Sequence, residues 1–260
     1  MLPANDVTLA CVTLENVTVA FSGLIALNDI SFSVFPNEIV GLIGPNGAGK
    51  TTAFNVICGF TEAQSGTVRF PLAGKNNLRP HQLATNGIAR TLQGVGLFPS
   101  LSVLENVMSG GASRPGSGFW TSLLSLPAGR TSQAQLRGEA LALLERFGLE
   151  NYADASAAAI PYGISKKVSV ARALMSRPSL LLLDEPASGL DESELEDFSA
   201  LIRDLRSTTS VLLVEHNMDF VMPLVDRLVV LNFGTVIATG TAHEVVENPE
   251  VIAAYLGANE

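Results

Sequence analysis

Residues 38–57 read EIVGLIGPNGAGKTTAFNVI and set the architecture of this chain. The apolar run Glu38–Ile43 predicts a buried strand, and residues Gly49–Ile57 predict a helix. Between them, Gly44–Thr51 matches the full pattern GxxxxGK followed by Ser or Thr. A glycine-rich turn between a buried strand and a helix is the context that this pattern requires. The stretch therefore predicts a phosphate-binding loop.

The predicted loop has the chemistry of a nucleoside triphosphate site. Its glycines let backbone N–H groups converge on phosphate oxygens, and the helix N-terminus adds a partial positive charge. Lys50 is expected to reach the β- and γ-phosphates, and Thr51 to ligate Mg²⁺. The alternative is a glycine-rich turn with a coincidental lysine. The residues predicted to bind ATP here are Gly44, Pro45, Asn46, Gly47, Ala48, Gly49, Lys50, Thr51 and Thr52.

Strands and helices follow one another on both sides of the loop. Before it, Val12–Phe21 and Leu27–Val34 alternate polar and apolar residues, as half-buried strands do. After it, the apolar runs Leu180–Leu183 and Val211–Val214 alternate with helical patterns such as Asp191–Leu205. Strands that alternate with helices indicate a parallel sheet covered by helices, so the sequence predicts an α/β fold.

The sequence predicts three further elements. Residues Gly110–Arg130 are rich in Gly, Ser and Pro and predict a surface loop or insertion. A helix is predicted over about Lys166–Met175. The last helix is predicted to begin at Thr241, where Glu244 completes a capping box.

Two acids follow the apolar strand Leu180–Leu183. Ligands of open parallel sheets bind at the C-terminal ends of the strands, which is where Asp184 and Glu185 stand. Asp184 is the expected Mg²⁺ partner. Glu185 is the expected general base, polarising a water for in-line attack on the γ-phosphate. The alternative is a strand end with two solvated acids, and the phosphate loop upstream favours catalysis.

The chain has three histidines, of which His216 follows an apolar strand. By position alone it is an ordinary strand-end residue, but its place beside the acidic strand also suits a γ-phosphate sensor. His81 follows Pro80 in a polar stretch and His243 lies in the first turn of the last helix, so both are predicted to be surface residues.

Bulk properties exclude several classes of protein. The 260 residues are 47% hydrophobic and 16% charged, which suits a globular chain with a sizeable core. The net charge of −9 argues against a general nucleic-acid binder. Cys11 and Cys58 lack the spacing of a disulfide framework or zinc site and are predicted to be small apolar fillers. We expect no signal peptide and no membrane-spanning helix.

These motifs, in this order, resemble the nucleotide-binding subunit of ABC transporters over about Val12 to Gly257. The resemblance implies that Asp191, in the stretch from Pro186, belongs to the D-loop and that His216 is the switch histidine. Gln93, in Ala89-Arg-Thr-Leu-Gln93, matches the Q-loop and is expected to bind ATP and, with Thr51 and Asp184, Mg²⁺. Phe21 falls where the family places an adenine-stacking aromatic, and a core strand residue is the equal alternative.

Within that family, the chain is most similar to the branched-chain (hydrophobic) amino-acid importers, and urea and amide importers share much of the pattern. The stretches that carry this similarity are 97–107, 215–222 and 248–257. The family implies a P-loop NTPase (RecA-like) core with an antiparallel β subdomain and an inserted α-helical subdomain. The corresponding bounds are 12–96 with 176–240 for the core, 97–175 for the helical subdomain, and 241–257 for the C-terminal helix.

The family's signature motif, LSGGQ, is altered here. The equivalent residues are Pro161, Tyr162, Gly163 and Ile164 after Ile160, followed by Ser165. Proline offers neither the hydroxyl nor the N–H of the usual serine. Lys166 and Lys167 are predicted in the first turn of the following helix, either as solvated lysines or facing an anion. We hypothesise a weakened contact to the partner's ATP and an asymmetric pair with a second, different ATPase chain.

The resemblance implies an ATP- and Mg²⁺-dependent ATPase at the cytoplasmic face of the cell membrane. Its partners would be transmembrane permease subunits, a homologous second ATPase and, indirectly, an extracytoplasmic solute-binding protein, without nucleic acid. One alternative is a soluble ABC ATPase that acts on ribosomes or DNA. Another is a non-hydrolysing nucleotide-binding regulator, which the presence of Lys50, Asp184, Glu185 and His216 disfavours.

Overall fold

The structure is a computed structural model that describes residues 9–91, 95–113 and 127–256. The predictions for Gln93, and for residues 114–126 of the predicted insertion, lie outside the described residues. The chain divides into two compact units, the first formed by Met1–Pro80 with Leu205–Glu260 and the second by His81–Asp204. The finer predicted division into core, helical subdomain and C-terminal helix stays a prediction.

The strands and helices in the described part have the following bounds. The strands are β1 (Val12–Phe21), β2 (Leu24–Val34), β3 (Ile39–Ile43), β4 (Ser65–Phe70), β5 (Lys75–Asn76), β6 (Ile88–Arg90), β7 (Leu180–Asp184), β8 (Ser210–Val214), β9 (Arg227–Asn232) and β10 (Thr235–Gly240). The α-helices are α1 (Lys50–Ile57), α2 (Val103–Ser109), α3 (Pro127–Arg146), α4 (Tyr162–Leu174), α5 (Glu192–Leu205), α6 (Met218–Val221), α7 (Ala242–Val246) and α8 (Pro249–Leu256). Short 3₁₀ turns lie at Pro71–Ala73, Pro80–Gln82, Ala84–Asn86, Gly110–Ser113 and Glu150–Tyr152.

The first unit contains both kinds of sheet. An antiparallel sheet has the strand order β2-β1-β4-β5. In β1 the alternation of buried residues shifts by one at Asn16, which has a φ of +51° and lies at a break in the register with β2. Beside it, β3 pairs in parallel with β8 and with β9, and β9 forms an antiparallel hairpin with β10. Every residue of β3 and β8 is buried, as expected of strands covered on both faces.

The second unit joins one strand pair to helices. Strand β6 runs parallel to β7, whose five residues are all buried. Helix α2 begins at a capping box between Ser102 and Glu105. Helix α3 buries Ala140 and Leu144, and Phe147, directly after the helix, is buried as well. The alternation of strands and helices, with parallel pairs in both units, confirms the α/β fold class.

Two predicted helix boundaries are wrong. Helix α4 begins at Tyr162, directly after Pro161, and not near Lys166. The last helix has the predicted capping box between Thr241 and Glu244, but it ends at Val246. A separate helix, α8, starts at Pro249, where the Asn248 side chain accepts a hydrogen bond from the Glu250 N–H at 2.8 Å. None of the helices in the described ranges has the length and apolar character needed to cross a bilayer.

Candidate functional site

The phosphate loop lies in the first unit, between β3 and α1. Gly44, Gly47 and Gly49 have φ angles of +150°, +79° and +101°, which side chains other than glycine rarely adopt. A Cβ at Gly44 would lie 2.1 Å from the Leu231 carbonyl oxygen, and one at Gly49 would lie 2.6 Å from the Ala26 carbonyl oxygen. The neighbouring backbone therefore leaves no room for a side chain at either position.

Lys50 is folded over this loop. Its Nζ donates hydrogen bonds to the carbonyl oxygens of Gly44 at 2.7 Å and Pro45 at 2.8 Å. Helix α1 carries no acidic residue in its first turn, so its N-terminus keeps its positive character. Asn46, Gly47 and Thr51 are exposed, and a Cβ at Gly47 would meet nothing within 4 Å. The loop is thus an open cationic cradle that fits a triphosphate.

A second turn braces the loop from behind. The Gly234 N–H, in the β9–β10 hairpin, donates to the Ala48 carbonyl at 3.0 Å. The Gly234 carbonyl in turn accepts from the Asn28 N–H in β2 at 2.8 Å. The sequence carries no signal for these two contacts, because Gly234 is far from both Ala48 and Asn28 along the chain.

The acidic pair lies in the second unit, at the end of β7. Asp184 is only 8% exposed, and its Oδ2 is 3.1 Å from the Nη2 of Arg90. Burial raises the pKa of Asp184 above its ordinary value, the positive charge of Arg90 opposes that rise, and the charge of Glu185 adds to it. The sequence did not predict Arg90 as a site residue. Its only signal is its position at the end of the strand that pairs with β7.

Glu185 stands in an unusual backbone conformation, with a φ of +46°. Lys166, which is 8% exposed, donates from its Nζ to the carbonyl oxygens of Glu185 at 3.2 Å and Pro186 at 2.7 Å. The expectation of a solvated Lys166 is therefore wrong, because its ammonium group is buried against backbone carbonyls, and the expectation that it faces an anion stays a prediction. Lys167 pairs with Asp197 at 3.2 Å. Lys166 fixes the backbone from which the predicted base projects.

The altered signature residues begin helix α4. Pro161 is the N-cap residue and makes no side-chain cap. The Ser165 hydroxyl donates a hydrogen bond to the Pro161 carbonyl at 3.1 Å, within the first turn of its own helix. A Cβ at Gly163 would lie 2.2 Å from Oε1 of Glu194. Glu194 and Asp191, the predicted D-loop residue, cap each other's N–H groups at 3.1 Å and 2.8 Å.

Phe21 and His216 are both accessible in the first unit. Phe21 lies at the end of β1, opposite Leu24, and is 51% exposed. The core-strand alternative for Phe21 is therefore wrong, and adenine stacking stays a prediction.

His216 follows β8 with an exposed side chain, while the fully buried Glu215 carboxylate accepts from the His216 and Asn217 N–H groups at 3.0 and 3.3 Å. His81 and His243 are exposed and Cys11 and Cys58 are buried, as predicted.

The raised pKa of Asp184 leads to a pH-dependent prediction. At neutral pH, folding must keep this carboxylate charged in a buried position, and that penalty grows as the pH rises from 3.8 through the folded-state pKa. In nucleotide-free protein, Asp184→Asn should therefore raise the thermal midpoint at pH 7 to 8. The gain should shrink towards pH 4, whereas the exposed control Asp154→Asn should change little at any pH. A midpoint lowered by Asp184→Asn at neutral pH would contradict the prediction.

Comparisons with known proteins agree with these features. A family model described as ABC transporter matches residues 27–188, and one described as branched-chain amino acid ATP-binding cassette transporter matches residues 235–260. The chain is 40% identical over 239 residues to the high-affinity branched-chain amino acid transport ATP-binding protein LivG of Escherichia coli (strain K12), covering 91% of this chain and 94% of LivG. It is 39% identical to BraF of Pseudomonas aeruginosa, a protein of the same description, covering 94% and 96%.

A solved structure shows the same architecture. The ADP conformation of MJ1267, an ATP-binding cassette of an ABC transporter, superposes with a TM-score of 0.81 at 31% identity, covering 96% of this chain and all of MJ1267. The P-loop NTPase fold implied by the resemblance is thereby confirmed. Together with the family model, which matches more than half of the chain, these similarities establish that the chain belongs to the ABC transporter family of ATP-hydrolysing cassettes.

Proposed function

We propose that this chain drives the uptake of branched-chain amino acids from the cytoplasmic face of the cell membrane. The match of residues 235–260 to the branched-chain cassette model carries the substrate class. The descriptions of LivG and BraF, which resemble the chain over almost its whole length, support it. They do not favour the alternatives of a ribosome- or DNA-directed ATPase or a non-hydrolysing regulator.

The residues of the site support the following roles in ATP hydrolysis. Lys50 and the loop N–H groups bind the β- and γ-phosphates. Glu185 accepts a proton from the attacking water while the bond from the γ-phosphorus to the bridging oxygen of ADP breaks. His216 senses the γ-phosphate, and Phe21 stacks on the adenine. Thr51 and Asp184 offer the oxygen ligands that Mg²⁺ prefers, with Gln93 as a further predicted ligand, and this ion would offset the charge on the phosphates.

We also propose that the chain pairs with a second, different ATP-binding chain. The signature residues support a weak contact to a partner's ATP: Pro161 has no hydroxyl, and the Ser165 hydroxyl already donates to Pro161. In this family the N-terminus of the signature helix faces the γ-phosphate of the ATP bound by the partner. The Glu194 carboxylate beside Gly163 places negative charge at this end of the helix, which opposes the binding of a phosphate. A partner with an ordinary signature motif would leave this chain's own ATP well held.

Purification of the tagged chain with its membrane partners tests both proposals. The complex, reconstituted in vesicles with its solute-binding protein, should take up labelled leucine only with hydrolysable ATP, and not labelled urea. It should contain one copy of this chain and one of another ATP-binding chain. Recovery with ribosomes instead of permeases would contradict the transport function. Two copies of this chain, without another ATPase, would contradict only the asymmetric pairing.

A further inference from the structure

The turn that follows β7 carries the predicted base in an unusual backbone conformation. Glu185 has a φ of +46°, and Gly189, four residues later, has a φ of +77°. A left-handed backbone is unfavourable for a residue with a side chain, so Glu185 keeps this conformation only where its surroundings hold it. Within the turn, the Glu185 carbonyl accepts a hydrogen bond from the Ser188 N–H at 3.2 Å. Further contacts that hold the turn come from the start of helix α4.

Two residues of α4, one helical turn apart, contact both ends of this turn. Lys166 donates from its Nζ to the Pro186 carbonyl at 2.7 Å and to the Glu185 carbonyl at 3.2 Å. The Tyr162 ring lies against Gly189, where a Cβ would come within 2.9 Å of the ring carbon Cε1. The Lys166 Nζ is also 5.4 Å from the centre of the Tyr162 ring, within the range of a cation–π interaction. The two side chains therefore contact each other as well as the turn.

The surroundings of the turn make these contacts important. A cavity of about 250 Å³ borders it, with Glu185, Pro186 and Ser188 in its lining. Residues that face a cavity lose part of the close packing that otherwise fixes a turn. Lys166 is only 8% exposed, and a cation withdrawn from water in this way needs strong hydrogen bonds. The two backbone carbonyls of the turn supply them.

We propose that Tyr162 and Lys166 are positioning residues for the general base of this chain. The altered signature turn then has a role within its own chain, besides the contact that it offers to a partner's ATP. This inference rests on the proposed role of Glu185 as the base. Both residues act on the backbone of the turn, so the base projects from a fixed position before the water attacks.

Removal of the ammonium group tests the proposal. In the intact chain, Lys166→Met should lower kcat by roughly ten- to a hundredfold, because misplacement of a catalytic group by about 1 Å can cost about a hundredfold in rate. The Kd for ATP, measured by calorimetry without Mg²⁺, should stay within about twofold, since the phosphate loop is unchanged. Lys166→Arg keeps donors for the two carbonyls and should recover most of the lost kcat. Lys167→Met removes the neighbouring ammonium group, which pairs with Asp197, and is the matched control.

Tyr162 is 47% exposed and offers variants that should fold normally. Tyr162→Leu, which removes the ring beside Lys166 and Gly189, should lower kcat roughly threefold, the worth of an exposed cation–π contact. Tyr162→Phe keeps the ring and should retain more of the kcat than Tyr162→Leu. If Lys166→Met does not fold, these two variants decide the question, and a wild-type kcat in Tyr162→Leu would overturn the proposal.

Combination with Glu185→Gln shows whether Lys166 acts through the base. In single-turnover hydrolysis, Lys166→Met should change the rate by less than about twofold once Glu185→Gln is present, because the group that it positions is then gone. An equal loss in both backgrounds, or a wild-type kcat in Lys166→Met alone, would refute the positioning role. Glu185→Gln alone tests the role on which the inference rests. If its turnover equals that of the wild type, the proposed base is wrong, whereas a slow Glu185→Gln with a normal Lys166→Met refutes only the positioning.

Discussion

Replacement of Glu185 by Gln should slow ATP hydrolysis by about 10²- to 10³-fold and leave ATP binding intact. A general base contributes a rate factor of this size, and an amide of the same shape cannot accept the proton of the attacking water. The backbone that positions the side chain should not change, because Lys166 bonds to the carbonyl oxygens of Glu185 and Pro186 and not to the Glu185 carboxylate. The effect should therefore fall on kcat and not on the Kd for ATP.

The measurement is steady-state phosphate release together with nucleotide retention after rapid gel filtration. The Gln variant should retain ATP where the wild type retains ADP. Glu196→Gln, an exposed residue on α5, is the matched control and should behave as the wild type. Unchanged turnover in Glu185→Gln would show that another group activates the water.

The parts of the site that follow from local chemistry could be predicted from sequence. The loop glycines and Lys50 form one contiguous motif, and Asp184 follows directly on an apolar run, so neither needs knowledge of distant residues. The bounds of β1 were also predictable, because alternation over Val12–Phe21 reports burial of one face. The start of α4 was predicted too late, because Pro161, whose fixed φ suits a helix N-terminus, lies directly before the first helical residue, Tyr162.

The residues that support the site could not be predicted, because each acts through a partner that is distant in sequence. Arg90 meets Asp184 across 94 positions, since β6 pairs with β7. Lys166 lies on a helix and bonds to carbonyls of the turn after β7, 19 and 20 positions away. A charged side chain in a helical pattern carries no local sign that it will be buried, so solvation was the natural expectation for Lys166.

Lys50→Ala should weaken ATP binding by at least about a hundredfold, the value of two charge-assisted hydrogen bonds to phosphate. The ammonium group is already held above the loop by the carbonyls of Gly44 and Pro45, so little ordering is needed when a triphosphate replaces them. ATP at 100 times the wild-type Kd should stabilise the wild type by about 2.7 kcal/mol and raise its thermal midpoint, while the variant should show almost no shift. Lys75→Ala, exposed on the edge strand β5, should keep the full shift. A full ATP-dependent shift in Lys50→Ala would mean that the loop N–H groups alone bind the phosphates, and the lysine would then act only on the transferred group during hydrolysis.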